Sequence, residues 1–205
     1  MSRTGNCTAP TVKIPNIAPK YYHAQTHIHL SSEHSIDGGY FGAEMHMVHL
    51  QEGSGDTNYR AAAVVGTMIT PTAQANNPLF EAWLQKWIQH MNTDATCDSC
   101  WETAEVEAYD MNVYRSFIGK DFYHYNGGLT TPPCTEFAYW NFTTEPWQIS
   151  VRQYQMLTEL ILDVRQEDKD TKECKSITLA AESGSTSRPP QPLNDRNVVK
   201  YCSFS

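Results

Sequence analysis

Three histidines near the start of this chain are spaced to share one metal ion. In His27-Ile28-His29 the two imidazoles stand at i and i+2, and strand side chains alternate between faces, so both point the same way if the stretch is extended. His46, within Glu44-Met45-His46-Met47-Val48-His49, returns opposite them if the chain turns back as a hairpin. Three protein ligands leave a tetrahedral metal one open position, which is the pattern of a catalytic zinc; a structural zinc fills all four with Cys and His. A single histidine on a strand is more often a hydrogen-bonded core or surface residue than a ligand. Here the neighbours add weight to the metal reading. Gln25 lies two before His27 and Glu44 two before His46, each on the face of the histidine it precedes, where an amide or carboxylate oxygen accepts the other ring N–H and fixes the ring.

The elements that must position these residues read as an α+β domain: a predominantly antiparallel, mixed central sheet with few peripheral helices. Asn77-Pro78 opens a helix in which Leu79, Phe80, Trp83, Leu84, Trp87, Ile88 and Met91 recur at three and four. A second helix is expected over Ser150 to Arg165. Ser150 and Gln153 form a capping box there, and Tyr154, Leu157, Leu160, Ile161 and Val164 form its apolar stripe. Ala61 to Ile69 and Phe137 to Phe142 read as buried strands. Residues 1 to 20, with Pro10, Pro15 and Pro19, read as an irregular lead-in, and 21 to 205 as one domain. A net charge of −8 with scattered acidic residues argues against a nucleic-acid surface. The longest apolar run, around Ala61 to Ile69, is shorter than the roughly 20 residues a membrane span needs, and no signal sequence opens the chain.

A second segment, Asn126-Gly127-Gly128-Leu129-Thr130-Thr131-Pro132-Pro133-Cys134-Thr135-Glu136, adds a further pattern. With the His-x-His strand, Glu33-His34 and the Glu-x-His-x-Val-His strand, it makes the chain resemble the alpha-class carbonic anhydrases. Arg188-Pro189-Pro190-Gln191-Pro192-Leu193-Asn194-Asp195-Arg196 resembles the closing segment of that family, so the likeness runs over roughly residues 21 to 200. It implies zinc on His27, His29 and His46, with Gln25 and Glu44 supporting the ligands. It further implies reversible hydration of carbon dioxide to bicarbonate and a proton through zinc-bound hydroxide. Thr130 then accepts a hydrogen bond from that hydroxide and donates its own proton to Glu33, which when ionised only accepts. Val48, Val64, Leu129 and Trp140 match the apolar substrate pocket, with Ala138 where valine is more usual, and Thr131 matches a polar position beside the substrate. His34 and His49 match structural histidines. Sulfonamide- or anion-type inhibitors are expected at the zinc.

The same resemblance exposes departures. Leu30-Ser31 stands where Trp-Gly commonly follows the second zinc histidine. The family normally has a longer stretch before its first zinc histidine than the twenty-six residues here, so the chain reads as a fragment, the favoured reading, or as a diverged form lacking the first strands, and the family's proton-shuttle histidine belongs to the missing part. His23 is near in sequence, with nothing to place it at the cavity, and the shuttle stays unassigned. Secreted relatives bridge the cysteine at the Cys134 position to their N-terminal region, for which Cys7 is the substitute; Cys97-Asp98-Ser99-Cys100 reads as a loop disulfide. The sequons Asn6-Cys7-Thr8 and Asn141-Phe142-Thr143, with six cysteines, suggest a secreted, disulfide-bonded glycoprotein or another oxidising compartment. The alternative to an enzyme is a non-catalytic, carbonic-anhydrase-like extracellular binding or mineral-matrix module.

Overall fold

A computed structural model describes residues 11–12, 20–51, 61–93, 121–162, 165–167, 170–171, 174–176 and 183–202. Its main sheet is built from β1 (Thr11–Val12), β2 (Tyr21–Leu30), β3 (Ala43–Gln51), β4 (Ala62–Ala73), β5 (Phe122–Gly127), β6 (Ala138–Thr143), β7 (Trp147–Ser150) and β10 (Val199–Tyr201). The order across the sheet is β1-β2-β3-β4-β6-β5-β10, with β7 beside the far part of β4. Both β4 contacts to β6 and β7 are parallel and the other pairs antiparallel, as the mixed-sheet expectation required. A separate pair, β8 (Arg165–Glu167) and β9 (Cys174–Ser176), completes the strands.

Two helices, α1 (Pro78–Thr93) and α2 (Val151–Leu162), cover one face. Asn77 caps α1, its side-chain oxygen accepting the N–H groups of Leu79 and Phe80. The expected capping box begins α2: the Ser150 hydroxyl accepts from Gln153 N–H, and the Gln153 side chain accepts from Ser150 N–H. Helix α2 ends at Leu162, short of the expected Arg165, which already belongs to β8. Val164 lies outside the described residues. Under the helices sits the principal core, in which Met45, Met47, Val65 and Ile69 of the sheet meet Phe80, Leu84, Leu157 and Ile161. The other sheet face carries Glu44, His46 and Val48 and has no helix over it among the described residues, so one strand gives greasy residues to the core and polar ones to the site. None of the described helices is long and apolar enough to cross a membrane.

Part of the lead-in is ordered differently from the expectation. Thr11 and Val12 pair with Tyr22 and Tyr21, because a β2 edge with free N–H and C=O groups accepts another strand. A bulge between His23 and Gln25 then shifts the β2–β3 register, so that His23 pairs with His49 and Gln25 with Val48. His23 therefore faces the helix side with His49, ring centroids 5.4 Å apart, and points away from the histidine triad.

His49 is buried and donates its Nδ1–H to the Met47 carbonyl. Burial, followed by the nearby His23, lowers its pKa from 6.5 to about 4. As pH falls the unfolded chain takes up this proton first, so stability from His49 is complete above about pH 6.5 and is lost progressively towards about pH 4. The loss is on the order of 3 kcal/mol. Urea unfolding of His49→Gln and of the parent at pH 7 and 4.5 should show a clearly smaller acid loss in the variant; equal losses would contradict this assignment.

Candidate metal centre

Strand pairing delivers the three histidines. His27 stands directly across from His46 and His29 from Glu44, so all four side chains occupy the uncovered face. Ring centroids lie 5.0 Å apart for His27 and His29, 5.1 Å for His27 and His46, and 4.8 Å for His29 and His46. One ligand atom from each lies within 4.8 Å of the others. Each ring also has an acceptor on its far side. Gln25 Oε1 takes His27 Nδ1–H at 3.2 Å, the Thr186 carbonyl takes His29 Nδ1–H at 3.3 Å, and Glu44 Oε1 takes His46 Nε2–H at 2.7 Å. A neutral imidazole has one N–H, so these acceptors leave His27 Nε2, His29 Nε2 and His46 Nδ1 as bare lone pairs turned inward. His29 Nε2 is buried with no hydrogen-bond partner.

Electrostatics keep His27 and His29 neutral. Burial, then the neighbouring His46 and His29, pushes the pKa of His27 down to about 3; burial and His46 lower His29 as well. Three imidazole nitrogens converging in one place are a donor set for a borderline cation such as zinc. The residues present therefore fit a metal ion.

A second group, His34, Glu44 and His46, is equally close, yet its atoms already satisfy one another. Glu44, wholly buried, accepts His34 Nδ1–H at 2.6 Å and His46 Nε2–H on Oε1, and the backbone N–H groups of Glu33 and His34 on Oε2. Burial raises a carboxyl pKa, but the bonds from His34 and His46 outweigh it and hold Glu44 well below the usual range. His34 in turn accepts the Tyr125 hydroxyl at 2.7 Å. This group is a hydrogen-bonded support for the first. It also demands Gly66, since a Cβ there would meet Glu44 Oε1 at 3.1 Å and Phe142 Cβ at 3.3 Å.

Beside the triad lies a cavity of about 200 Å³ lined by Gln25, His27, His46, Val48, Val64, Leu129, Thr130, Thr131 and Trp140. Val48, Val64, Leu129, Thr131 and Trp140 are thus brought to one cavity, Ala138 packs in the same buried cluster without lining it, and Trp140 Nε1–H fixes the Leu129 loop by donating to the Gly128 carbonyl at 2.9 Å. Glu33, together with Thr130, borders a second, larger cavity of about 500 Å³. Its Oε1 accepts Arg188 N–H at 2.8 Å, while its Oε2 has no hydrogen-bond partner. No hydrogen bond joins Thr130 to Glu33 in this structure.

The profile of the family described as eukaryotic-type carbonic anhydrase matches residues 2–202. The chain belongs to that family. It is similar to a carbonic anhydrase of Dunaliella salina (28% identity, covering 94% of this chain and 29% of that one) and to alpha carbonic anhydrase 7 of Arabidopsis thaliana (30%, covering 94% and 58%). Among solved structures, a carbonic anhydrase from Chlamydomonas reinhardtii in complex with acetazolamide aligns with a TM-score of 0.60 at 25% identity, covering 89% of this chain and 66% of that one. The chain spans less than two thirds of the length of these curated relatives.

Within this carbonic anhydrase fold, several residues escaped the sequence reading. Thr186 closes over the end of β2, its N–H donating to the Leu30 carbonyl, its hydroxyl accepting Leu30 N–H and its carbonyl holding His29. A backbone carbonyl leaves no mark on the sequence. Tyr125 was missed too, although its place in a strand beside the Leu-Thr-Thr-Pro-Pro turn was a usable signal. Ser31 adopts φ +59°, a conformation glycine takes without cost, at the position where the family commonly has Gly.

Two expectations, glycosylation and disulfide bonding, find no support among the described residues. Asn141 lies in β6, buried, its amide donating to the Tyr139 carbonyl while its oxygen accepts from His124, so this sequon does not offer a free acceptor nitrogen. Among the described residues Cys134 and Cys202 are free thiols, and Cys7, the candidate partner of Cys134, lies outside them. Asn6, Cys7, Cys97 and Cys100 lie outside the described residues. Glu44→Gln keeps one acceptor oxygen but loses the charge and the other acceptor oxygen, so zinc affinity should fall about 10- to 100-fold. Competition titration against a chelator measures this, and an unchanged affinity would remove Glu44 from its supporting role.

Proposed function

We propose that this chain binds one zinc ion through His27, His29 and His46 and catalyses reversible hydration of carbon dioxide to bicarbonate and a proton. The observation that carries this reading is the convergence of three bare imidazole nitrogens, each ring fixed by its own acceptor, with His27 and His46 lining a largely apolar cavity. Zinc held there supplies a water acidic enough to act as nucleophile near neutral pH, the effect for which carbonic anhydrases are the standard example.

The protein's own residues do the rest. Val48, Val64, Leu129 and Trp140 receive carbon dioxide, which is apolar and gains from leaving water without needing hydrogen bonds. Thr131 adds a polar edge. Thr130 acts as the orienting group: its oxygen accepts a hydrogen bond from the attacking water, and its proton goes to the Glu33 carboxylate, so the nucleophile's lone pair turns towards the substrate. Forming that bond requires the Glu33 side chain to turn towards Thr130. Sulfonamides and small anions, which compete for the open metal position, are the expected inhibitors.

His29→Ala should lose zinc, because one of three protein ligands is gone. Thr130→Ala should retain zinc and hydrate carbon dioxide about 100-fold more slowly, the scale of one oriented catalytic hydrogen bond. Metal analysis and stopped-flow hydration read both. Full zinc content in His29→Ala would sink the ligand set, and unchanged hydration in Thr130→Ala would remove Thr130 and Glu33 from the chemistry. A non-catalytic binding module would hold zinc in the parent chain and hydrate nothing.

A further inference from the structure

Both backbone groups of Leu30, the residue that follows His29, are taken by one residue far along the chain. Thr186 N–H donates to the Leu30 carbonyl at 3.1 Å, and Leu30 N–H donates to the Thr186 hydroxyl at 2.9 Å. In an ordinary hydrogen-bonded antiparallel pair the two residues exchange both N–H···O=C bonds, so each spends its own carbonyl on its partner. Here a side-chain hydroxyl stands where that carbonyl would be. The Thr186 carbonyl is thereby released, and it accepts His29 Nδ1–H at 3.3 Å.

That release decides where the one proton of a neutral imidazole sits. Held on Nδ1, it leaves Nε2, the nitrogen turned towards the triad, as the lone pair a metal needs, whereas a free ring prefers its proton on Nε2. The deciding bond is long for N–H···O, so a shift of a few tenths of an ångström ends it. What opposes such a shift is the seat of Thr186 on Leu30. Ser185 reinforces it, its hydroxyl donating to the same Leu30 carbonyl at 3.1 Å and pairing with Ser187 Oγ at 2.8 Å. Without an acceptor on side chain 186, Leu30 N–H loses its partner, and the carbonyl of residue 186 can satisfy it in ordinary strand geometry only by leaving His29.

We propose that Thr186 is a positioning residue for the metal centre: its hydroxyl, by standing in for a backbone carbonyl opposite Leu30, frees the Thr186 carbonyl to hold the His29 proton on Nδ1 and so keeps Nε2 bare for the metal. The metal part rests on the three-histidine reading above, and the proton's place on the ring rests on the hydrogen bonds alone. The requirement at position 186 is then for a short side chain that accepts a hydrogen bond, which serine meets and valine, of nearly the same shape as threonine, does not.

The test compares the full chain with Thr186→Val and Thr186→Ser by two readouts. Long-range proton–nitrogen NMR correlations of the imidazole rings, recorded near neutral pH on the metal-free chains, show which nitrogen of His29 carries the proton. Zinc affinity is measured by competition with a chelator. The parent should show the proton on Nδ1. Thr186→Val should move it to Nε2 and weaken zinc binding about 10-fold, the scale for losing a partner of a metal-bound histidine. Thr186→Ser should match the parent in both, a rescue that general loosening of the fold does not predict. A proton on Nε2 in the parent overturns the proposal without any variant having to fold. So does a folded Thr186→Val that keeps the proton on Nδ1 or binds zinc as the parent does, or a Thr186→Ser that behaves like Thr186→Val. A parent chain that binds no zinc defeats the three-histidine reading and with it the metal part of the proposal, while the ring correlations still decide whether the Thr186 hydroxyl sets the His29 proton.

Discussion

A single buried carboxylate organises the site. Stripping an ion of water costs several kcal/mol unless the surroundings replace its hydrogen bonds. Glu44 receives four N–H groups, two from imidazoles and two from the backbone at Glu33 and His34. Those bonds do three things at once. They assign the proton of His46 to Nε2 and so bare Nδ1; they staple the loop between β2 and β3 onto β3; and they set Glu33 beside the triad. The space for this comes from Gly66 on the next strand, where even a methyl group would crowd the carboxylate.

The loop that Glu44 staples is short, and its geometry follows from a few residues. Ile36 and Gly39 exchange backbone hydrogen bonds around Asp37 and Gly38, both at positive φ (51° and 80°), a two-residue turn of the kind Asp-Gly favours. The Ser32 hydroxyl bridges the loop by donating to the His34 carbonyl and accepting Phe41 N–H.

Much of this was legible in the sequence, because its signals are local. Alternation along β2 and β3 announced that His27, His29 and His46 share a face, and the i, i+2 spacing of Gln25 and Glu44 placed their acceptors beside them. The cap at Asn77 and the box at Ser150 and Gln153 marked helix starts for the same reason. What was hidden depends on register or on distant chain. The bulge that turns His23 to the helix side is one inserted residue, Ala24, with no signature of its own. The burial of Asn141 follows from the central place of β6 between β4 and β5, which a three-residue sequon does not report. The carbonyl of Thr186 reaches His29 across more than one hundred and fifty residues.

The central claim is that the metal sits on the inward nitrogens of the triad and not on the neighbouring His34, Glu44 and His46 group. A crystal structure of the zinc-loaded chain, with anomalous scattering to locate the ion, tests this most directly. The account predicts one zinc bonded to His27 Nε2, His29 Nε2 and His46 Nδ1, with Glu44 still hydrogen-bonded to His46 Nε2. Zinc bonded to Glu44 or His34, or a zinc site away from these strands, would contradict it.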